Sequence, residues 1–518
     1  MKKDVVIIGG GPAGLTAAYE FLTKSPDNYN VTVLEASNML GGISKTVSYN
    51  GNRMDMGGHR FFSKVPEVNA WWESMLPTQG SLPKDDKLLE RTSNTVPNGP
   101  DPEKTDLVML RRNRVSRIYF NTKFFDYPIS FKLDTILNMG LGNTFIAGMS
   151  YIKSSIFKRE ENSLEDFFIN RFGSKLYHMF FENYTENLWG RHPSQISADW
   201  GAQRVKGLSI SSILKDMFSK LFHIKQSKVE TSLIEEFSYP KLGPGQLWEV
   251  VGSKVFQLGG TILFNCEAIN FTQSEDKITG VTYIHDTKET TISCDYLLSS
   301  MPLKDLVAGL PNVPNNCITI ANGLPYRDFM TLGVLVSSLN LINKTKIRTI
   351  NNIIPDNWVY VHDKGIKMGR FQVFNNWSPY MVSDPTNTVW LGLEYFCNEG
   401  DTLWSMDEHE FSSFAISEML KMGLISDKSQ VLDTHMEKVK KAYPAYFDTY
   451  SEIDTLITYL NTIQNLYCIG RNGQHRYNNL DHSMCTSFEA VNNILTNKLD
   501  KSNIWGVNTE KEYHESNN

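Results

Sequence analysis

The segment from Asp4 to Glu35 constrains this chain most; it begins DVVIIGGGPAGLTAAYEFL and ends VTVLEA. An apolar run stops at a glycine turn, and apolar residues at helical spacing follow directly, which is the order of a buried parallel strand, a tight turn and a helix. Gly9, Gly11 and Gly14 fit the pattern G-x-G-x-x-G at that turn. A second apolar strand then ends at Glu35. The pattern therefore predicts a βαβ unit in an α/β fold.

The glycines and the acid occupy the positions that a bound dinucleotide requires. Gly9 allows the tight turn, Gly11 lets the backbone approach a pyrophosphate, and Gly14 lets the helix pack on the strand, with the helix N-terminus facing the phosphates. Glu35 follows where a carboxylate accepts both hydroxyls of an adenosine ribose and disfavours a 2′-phosphate. The alternative interpretation is a glycine-rich turn without a ligand. The predicted contacts are Gly9, Gly11, Pro12, Ala13, Gly14, Glu35 and Ala36.

Composition excludes several classes of function. The chain has 518 residues, enough for two or three domains, and its net charge of -6 gives no electrostatic footprint for nucleic acid. Its 6 cysteines lack CxxC or zinc spacing, so we expect neither a disulfide framework nor a metal site. Met1-Lys2-Lys3 leads directly into the first strand, and no apolar run reaches membrane-spanning length. We therefore expect a cytoplasmic protein without membrane insertion, and the oligomeric state stays open.

The rest of the chain divides by composition and periodicity. Residues 77–109 are polar and rich in proline, lysine and aspartate, which is typical of a surface insertion. Residues 130–235 carry aromatic side chains at helical spacing, and residues 316–450 carry alternating β-branched and aromatic positions, which predict a helical subdomain and an antiparallel sheet. The predicted organisation is a discontinuous dinucleotide-binding domain (1–76, 236–315 and 451–499), a surface insertion (77–109), a sheet domain (110–129 and 316–450), a helical subdomain (130–235) and a flexible tail (500–518).

Two further glycine pairs follow the acid. Gly41-Gly42 comes directly after it, and Gly57-Gly58 precedes a histidine, His59. A plain NAD dehydrogenase does not repeat glycines in this way. The arrangement resembles the FAD superfamily that contains the amine oxidases, the protoporphyrinogen oxidase-like proteins and the UDP-galactopyranose mutases, in which such loops wrap the ribityl chain and the flavin ring. The resemblance implies FAD as the resident cofactor.

A closer resemblance rests on arginines, tyrosines and tryptophans in a fixed order. They are Arg114-Val115-Ser116, Tyr127-Pro128, Trp189, Trp200 with Arg204, Ala442-Tyr443-Pro444 and GRNGQHRYNNLDHS at 470–483. Together they resemble UDP-galactopyranose mutase, particularly its eukaryotic-type branch, over most of the chain. This resemblance implies an α/β fold in which a discontinuous, FAD-binding Rossmann-like domain carries a helical subdomain and an antiparallel β-sheet substrate domain.

The same resemblance implies roles for individual residues. It implies catalytic roles for His59 over the flavin, Arg204 as the diphosphate clamp, Tyr443 and Tyr477 on the diphosphate, and Arg471 and Asn479 beside the isoalloxazine and the sugar. Further substrate contacts are implied for Arg114, Tyr127, Trp189 and Tyr326. Implied FAD contacts are Gly41, Gly42, Ser44, Gly57, Gly58, His59, Arg114, Ser116, Met301, Gly470, Arg471, Asp481, His482 and Ser483.

The chain also departs from the family pattern. The family's second diphosphate arginine lies some ten residues beyond a tyrosine of the sheet domain, and it falls near Val336 if Tyr326 is that tyrosine. The second histidine of the GGH loop is Lys64 here, and Ile129 and Ser130 stand where the family faces uracil. The sugar and the base therefore stay open.

Three hypotheses follow. The first is a nucleotide-sugar mutase, in which the family implies that N5 of reduced FAD attacks the anomeric carbon, expels the nucleotide diphosphate and allows a pyranose to reclose as a furanose; NADPH or NADH is the expected electron donor. The second is an FAD-dependent oxidoreductase of amine-oxidase or protoporphyrinogen-oxidase type, with Tyr477 and Trp377 as candidate aromatic groups at the flavin. The third is a non-catalytic flavoprotein or nucleotide sensor.

Overall fold

The computed structural model describes residues 2–127, 129, 133–198 and 236–507, with the backbone alone at 133 and 134. The strands of this part are β1 (Lys3–Ile8), β2 (Tyr29–Leu34), β3 (Thr46–Tyr49), β4 (Asn52–Asp55), β5 (Met109–Asn113), β6 (Ser116–Phe120), β7 (Lys123–Asp126), β8 (Glu236–Pro240), β9 (Thr261–Leu263), β10 (Glu267–Ser274), β11 (Lys277–His285), β12 (Lys288–Ser293), β13 (Tyr296–Ser299), β14 (Tyr326–Val336), β15 (Trp358–Val361), β16 (Met368–Val373), β17 (Val389–Cys397), β18 (Val431–Pro444) and β19 (Leu466–Cys468).

The helices of the same part are α1 (Pro12–Lys24), α2 (Pro66–Met75), α3 (Lys84–Leu88), α4 (Leu133–Met139), α5 (Leu141–Ile156), α6 (Leu164–Phe180), α7 (Glu182–Trp189), α8 (Gly245–Gln257), α9 (Leu303–Gly309), α10 (Asn315–Gly323), α11 (Phe374–Trp377), α12 (Thr402–Ser405), α13 (Glu408–Met422), α14 (Ile453–Thr462), α15 (Gly470–Gly473), α16 (Leu480–Leu495) and α17 (Ser502–Gly506).

A five-stranded parallel sheet with the order β19, β13, β1, β2, β9 forms the centre of the first unit. β1 is buried from Val5 to Ile8, so both faces of the sheet are covered, as expected for parallel strands. The strands come from three distant parts of the chain, which confirms a discontinuous Rossmann-like fold. The carboxyl ends of β1, β13 and β19 meet at one edge, where the glycine turns lie.

A seven-stranded sheet with the order β18, β14, β17, β16, β15, β6, β7 forms the second unit. Its pairings are antiparallel except for β15 with β6, which run parallel. This arrangement confirms the predicted antiparallel sheet. Val336, at the end of β14, is fully buried in the core of this unit.

Helices α4 to α7 form a third group of elements. Ser163 caps α6, because its hydroxyl oxygen accepts a hydrogen bond from the Asp166 amide at 3.2 Å. The aromatic side chains at helical spacing, including Phe167, Phe172 and Phe180, are buried there. Trp200 and Arg204 lie outside the described residues.

Two parts of the chain differ from the expectation drawn from their composition. Segment 77–109 contributes a buried ion-pair network: Arg112 Nη2 lies 2.7 Å from Asp85 Oδ2, and both side chains are buried. Burial alone would raise the pKa of Asp85, but Arg112 and Arg91 hold it below its ordinary value. In the predicted tail, Ile504 and Trp505 are buried. The polar composition of the two segments does not reveal these contacts, because only a few residues of each segment take part in them.

The cysteines and the helix lengths add two observations. All six cysteines are free, and five of them are buried. In the part of the chain that the structure describes, no helix combines the length and apolar character needed to cross a bilayer.

Candidate flavin and substrate site

The first glycine turn joins β1 to α1 with no space for a side chain at Gly9 or Gly14. Gly9 has a φ of +100°, and a Cβ there would lie 2.1 Å from Ser300 Oγ. A Cβ on Gly14 would lie 1.9 Å from the Gly9 carbonyl oxygen, so α1 begins in direct contact with the turn. Gly11, the N-cap of α1, provides no side-chain cap. The amide groups of the first turn of α1 therefore point to a position that favours the binding of an anion.

Glu35 follows β2 and is held by its own neighbours. Its Oε2 accepts a hydrogen bond from the Gly10 amide at 2.7 Å, and its Oε1 accepts from the Ser37 amide and hydroxyl at 2.8 and 2.6 Å. An ionised carboxylate has about four acceptor positions. Three of these positions are occupied. About one acceptor position remains, on Oε2, so Glu35 can accept a hydrogen bond from one ribose hydroxyl and not, as we expected, from both. Ala36, the next residue, is exposed.

The second glycine pair lies directly against the first turn. The Gly41 amide donates to the Gly10 carbonyl at 2.9 Å, and Gly41 has a φ of +104°. A Cβ on Gly42 would lie 3.3 Å from Gly11 Cα. Ser44, at the end of this short turn, is buried. The two predicted glycine loops therefore form one continuous backbone surface.

The third return of the chain completes this surface. Gly470 has a φ of +72°, and a Cβ there would lie 2.8 Å from Ala13 Cβ. Ser487 of α16 donates to the Ala13 carbonyl at 2.7 Å, and Met301 is half-buried beyond the end of β13. These close approaches fit an extended dinucleotide such as FAD, because a glycine cradle and an uncapped helix N-terminus both face one groove.

Asn479 caps α16 in a reciprocal arrangement with His482. Asp481 is buried and its Oδ2 accepts from the Ser63 hydroxyl at 2.8 Å, while Ser483 donates to Asn478 Oδ1 at 3.1 Å. Asp481, His482 and Ser483 were predicted as cofactor contacts. They therefore also hold the start of α16 and its neighbouring loop in place.

An open cleft of about 1070 Å³, counting the space at its mouth, lies beside the glycine surface. Its lining includes Gly57, Gly58, His59, Tyr443, Arg471, Tyr477 and Asn479, all predicted from the sequence. It also includes Ile43, Met56, Arg60, Phe62, Phe329, Trp358, Tyr360, Arg370, Glu394, Ala442 and Leu480, which were not predicted.

Arg370 is the main functional candidate that the sequence reasoning missed. It lies on β16 directly opposite Glu394 on β17, and its Nε lies 2.9 Å from Glu394 Oε2. Its Nη2 donates to Glu394 and, at 3.1 Å, to the Tyr443 hydroxyl. Glu394 is 1% exposed, and a second donor, Gln372 Nε2, lies 3.1 Å from its Oε1. The pair therefore fixes a guanidinium at the wall of the cleft.

A tyrosine and an arginine ten residues apart both lie at the cleft. Tyr360 on β15 precedes Arg370 by ten residues, and both line the cleft. Tyr326, which was matched instead, packs edge-on against His475 with ring centroids 4.6 Å apart and is not among the cleft residues. Val336, ten residues beyond Tyr326, is fully buried in the core of the sheet, whereas Tyr360 and Arg370, which share this spacing, both lie at the cleft.

Two tyrosines and a second arginine continue the cleft wall beside Arg370. The rings of Tyr443 and Tyr477 are nearly parallel, with centroids 5.8 Å apart. The Arg471 guanidinium lies 4.9 Å from the Tyr477 centroid, and its Nη1 and Nη2 donate to the carbonyls of Ala442 and Asn478 at 3.1 and 2.6 Å. Burial raises the pKa of Tyr443 to about 12, against the opposing effect of Arg370, so its phenol is protonated at neutral pH.

His59 is neutral at ordinary pH. Burial, together with the nearby charge of Arg471, lowers its pKa to about 4, while a hydrogen bond between Nε2 and the Met56 carbonyl at 3.0 Å acts in the opposite direction. The cleft consequently carries its positive charge on guanidinium groups rather than on imidazolium.

Other predicted residues lie near the cleft without lining it. The Arg114 guanidinium lies 5.3 Å from the Trp358 ring centroid, and Tyr127 packs on Tyr360 with centroids 4.4 Å apart. Ser116 pairs with Trp358 between β6 and β15. Trp189 is buried, 6.1 Å from the Phe447 ring, and so belongs to the core. Arg204 lies outside the described residues.

The glycine-rich segment has relatives of known sequence. Residues 7–75 match the family model of an NAD(P)-binding Rossmann-like domain. Coproporphyrinogen III oxidase of Mycobacterium leprae is 38% identical over 69 residues, which are 13% of this chain and 15% of that protein. The chain therefore matches about 15% of the length of this relative.

The whole chain is similar to solved structures. A reduced UDP-galactopyranose mutase superposes with a TM-score of 0.75 at 19% identity, covering 99% of this chain and 100% of that one. The chain has the FAD-binding mutase and oxidase fold. A protoporphyrinogen oxidase-like protein from Exiguobacterium sp. 255-15 has the same fold, with a TM-score of 0.66 at 14% identity over 96% of this chain and 100% of that one. Within this fold, the groove and cleft described above lie at the meeting point of the Rossmann-like unit and the sheet.

Proposed function

We propose that this protein binds FAD and interconverts the pyranose and furanose forms of a nucleotide-diphosphate sugar. The observation that carries the proposal is the Arg370 guanidinium, fixed by buried Glu394 and directed at the Tyr443 hydroxyl within the cleft. An amine or a purely apolar substrate has no use for such a group, whereas a diphosphate requires it.

The donors of Arg370 support an anion-binding role. A guanidinium has five N–H donors. The Nε donor and both Nη2 donors point to Glu394 and Tyr443. Within the described residues Arg370 Nη1 has no acceptor, so its two donors are available to one phosphate group. Arg471, Tyr443 and Tyr477 add donors along the same wall, and phenols do so without adding charge.

FAD fits the glycine groove, and in its reduced form it would supply a nucleophilic ring nitrogen, which divides one difficult displacement into two easier steps. The protein residues would hold the sugar and stabilise the charge that develops on the departing diphosphate. His59 is neutral, so it can orient polar groups above the cofactor without repelling Arg471. We infer that positioning and charge stabilisation are the main contributions of this chain.

The amine-oxidase form of the oxidoreductase hypothesis has less support at the cleft. Trp377, one of the candidate aromatic groups for an amine substrate, is fully buried, and its Nε1 donates to the Asn357 carbonyl at 2.8 Å. The rings of Tyr443 and Tyr477 are 5.8 Å apart, which is within direct ring contact and leaves no space for a substrate between them. Guanidinium groups in the cleft also disfavour a cationic amine.

The proposal is tested with a panel of substrates. Dithionite-reduced holoprotein is incubated without oxygen with UDP-, dTDP- and GDP-linked hexopyranoses, and the products are separated by chromatography. We expect a furanose isomer from at least one nucleotide sugar and none from air-oxidised protein. Oxygen consumption with a porphyrinogen or a polyamine, without any furanose product, would instead support an oxidase.

A further inference from the structure

A fully buried carboxyl group lies beneath the Gly57-Gly58-His59 loop. Asp55 is the last residue of β4 and is 0% exposed. The four residues that follow it, 56–59, all line the cleft. Burying a carboxyl group is costly unless hydrogen bonds compensate it. The position of Asp55 therefore requires an explanation that the substrate-binding residues do not provide.

The hydrogen bonds of Asp55 join segments that are far apart in sequence. The Thr46 hydroxyl of β3 donates to Asp55 Oδ1 at 2.8 Å, and the Tyr239 hydroxyl of β8 donates to Asp55 Oδ2. Thr46 Oγ1 in turn accepts from the Gly245 amide, at the start of α8, at 2.9 Å. The carboxyl group thus ties the base of the loop to two elements from a later part of the chain.

The same network reaches the loop by packing. The rings of Tyr239 and Trp377 are 5.0 Å apart, and a Cβ on Gly58 would lie 3.4 Å from Trp377 Cζ2. Tyr239 therefore supports the loop from below through Trp377, in addition to holding Asp55.

We propose that Asp55 is a positioning residue for the flavin-facing loop, Gly57-Gly58-His59. The Asp55 carboxyl group holds this loop through either of two hydrogen-bond arrangements. In the ionised arrangement, Asp55 accepts from both Tyr239 and Thr46. In the protonated arrangement, Asp55 Oδ2 donates its proton to the Tyr239 oxygen, and the Tyr239 hydroxyl turns to Met381 Sδ, which lies 3.8 Å away. Each arrangement satisfies every hydroxyl group, so the loop keeps its anchor when Asp55 gains or loses its proton.

The electrostatic surroundings agree with this exchange. Burial raises the pKa of Asp55 to about 7, and the hydrogen bonds from Tyr239 and Thr46 and the charge of Arg53 oppose this shift. Burial raises the pKa of Tyr239 well above its ordinary value, with Arg112 acting in the opposite direction, so the phenol keeps its proton throughout. Asp55 is consequently the group of this network that changes its charge near neutral pH.

The inference rests on the proposed FAD binding, and the test separates the two. Asp55→Ala, Asp55→Asn and the control Asn465→Ala are prepared. Asn465 is also a buried polar group that joins distant segments, through hydrogen bonds to Ile278 and Asp295. For each variant the FAD dissociation constant is measured by flavin fluorescence, and hydrogen exchange of residues 56–60 is measured in the apoprotein.

The two Asp55 variants should differ. Asp55→Ala leaves two buried hydroxyl groups without their acceptor, so we expect FAD affinity to fall about tenfold to a hundredfold and exchange of 56–60 to accelerate. Asp55→Asn reproduces the protonated arrangement and should keep both values near those of the wild type. The stability of the wild type relative to Asp55→Asn should fall as pH rises from about 4 to about 7 and then stay level, because folding raises the pKa of Asp55.

Asn465→Ala should lose stability while FAD affinity and exchange of 56–60 stay unchanged. Wild-type affinity and exchange in Asp55→Ala would overturn the positioning role. Failure of the wild-type protein to bind FAD would overturn the proposed function, and the apoprotein exchange would still decide the role of Asp55.

Discussion

Arg370 and Glu394 face each other directly across β16 and β17, with Arg370 Nε 2.9 Å from Glu394 Oε2. A carboxylate that is 1% exposed and a guanidinium in such a pair stabilise each other only while both are present. The pair also orients the remaining donors of Arg370 toward the cleft. We regard this pair as the centre of the proposed diphosphate site.

Replacing Arg370 should therefore reduce substrate turnover far more than FAD binding. Arg370→Lys keeps the charge but cannot donate to Glu394, Tyr443 and a phosphate in one plane. We expect kcat/KM to fall by about two to three orders of magnitude, measured on the substrate found in the panel, with FAD content near that of the wild type. Arg117→Lys is the matched control, because Arg117 pairs with buried Asp356 in the same sheet but does not line the cleft. Equal losses in the two variants would contradict the role of Arg370.

The Tyr443 and Tyr477 hydroxyls should act on the same substrate group. Each single Tyr→Phe variant should lower kcat/KM by about tenfold, the value of one hydrogen bond to a charged group. Because the rings are stacked 5.8 Å apart, the effects should not be additive. A double-mutant cycle measures this coupling, and strictly additive losses would place the two hydroxyls on separate groups.

Gly14 should be required for FAD binding. A Cβ there would lie 1.9 Å from the Gly9 carbonyl oxygen, so Gly14→Ala must displace the turn that faces the pyrophosphate. We expect purified Gly14→Ala to lose most of its bound FAD, measured by absorbance after gel filtration. Gly142→Ala is the control, since a Cβ at Gly142 meets nothing within 4 Å. A yellow Gly14→Ala protein with normal FAD content would contradict the proposed role of the glycine turn in FAD binding.

His59 should make stability depend on acid pH. Folding lowers its pKa from 6.5 to about 4, so the unfolded chain binds more protons between these values, and the contribution of His59 to stability is lost as pH falls through this range. Denaturant unfolding of the wild type and of His59→Gln at several pH values measures the difference. The difference should level off above about pH 6.5. An equal effect in the exposed control His178→Gln would show that the dependence has another origin.

The glycine turn and its flanking elements were predictable because the sequence pattern that identifies them is local. The strand, turn, helix and acid between Asp4 and Glu35 follow one another in sequence, and each residue type has a direct backbone consequence. The sheet was predictable for the same reason, from alternation along each strand.

The cleft was only partly predictable because distant segments assemble it. Arg370 becomes recognisable only when Tyr360, Glu394 and Tyr443 surround it, and these residues come from four different strands. Tyr326 has the same residue type as Tyr360, and tertiary packing against His475 removes it from the site. The burial of Asp55, Asp85 and Trp505 likewise depends on partners far away in sequence.

The most direct test of the proposed mutase activity records the redox state of the flavin and the sugar products in one experiment. Holoprotein is reduced once, without oxygen, and incubated with a large molar excess of the nucleotide sugar that gives a furanose, while flavin absorbance and products are recorded. We predict many furanose molecules for each flavin, with the flavin still reduced at the end. Oxidation of the flavin in proportion to product, or turnover by fully oxidised protein, would contradict the proposed mutase.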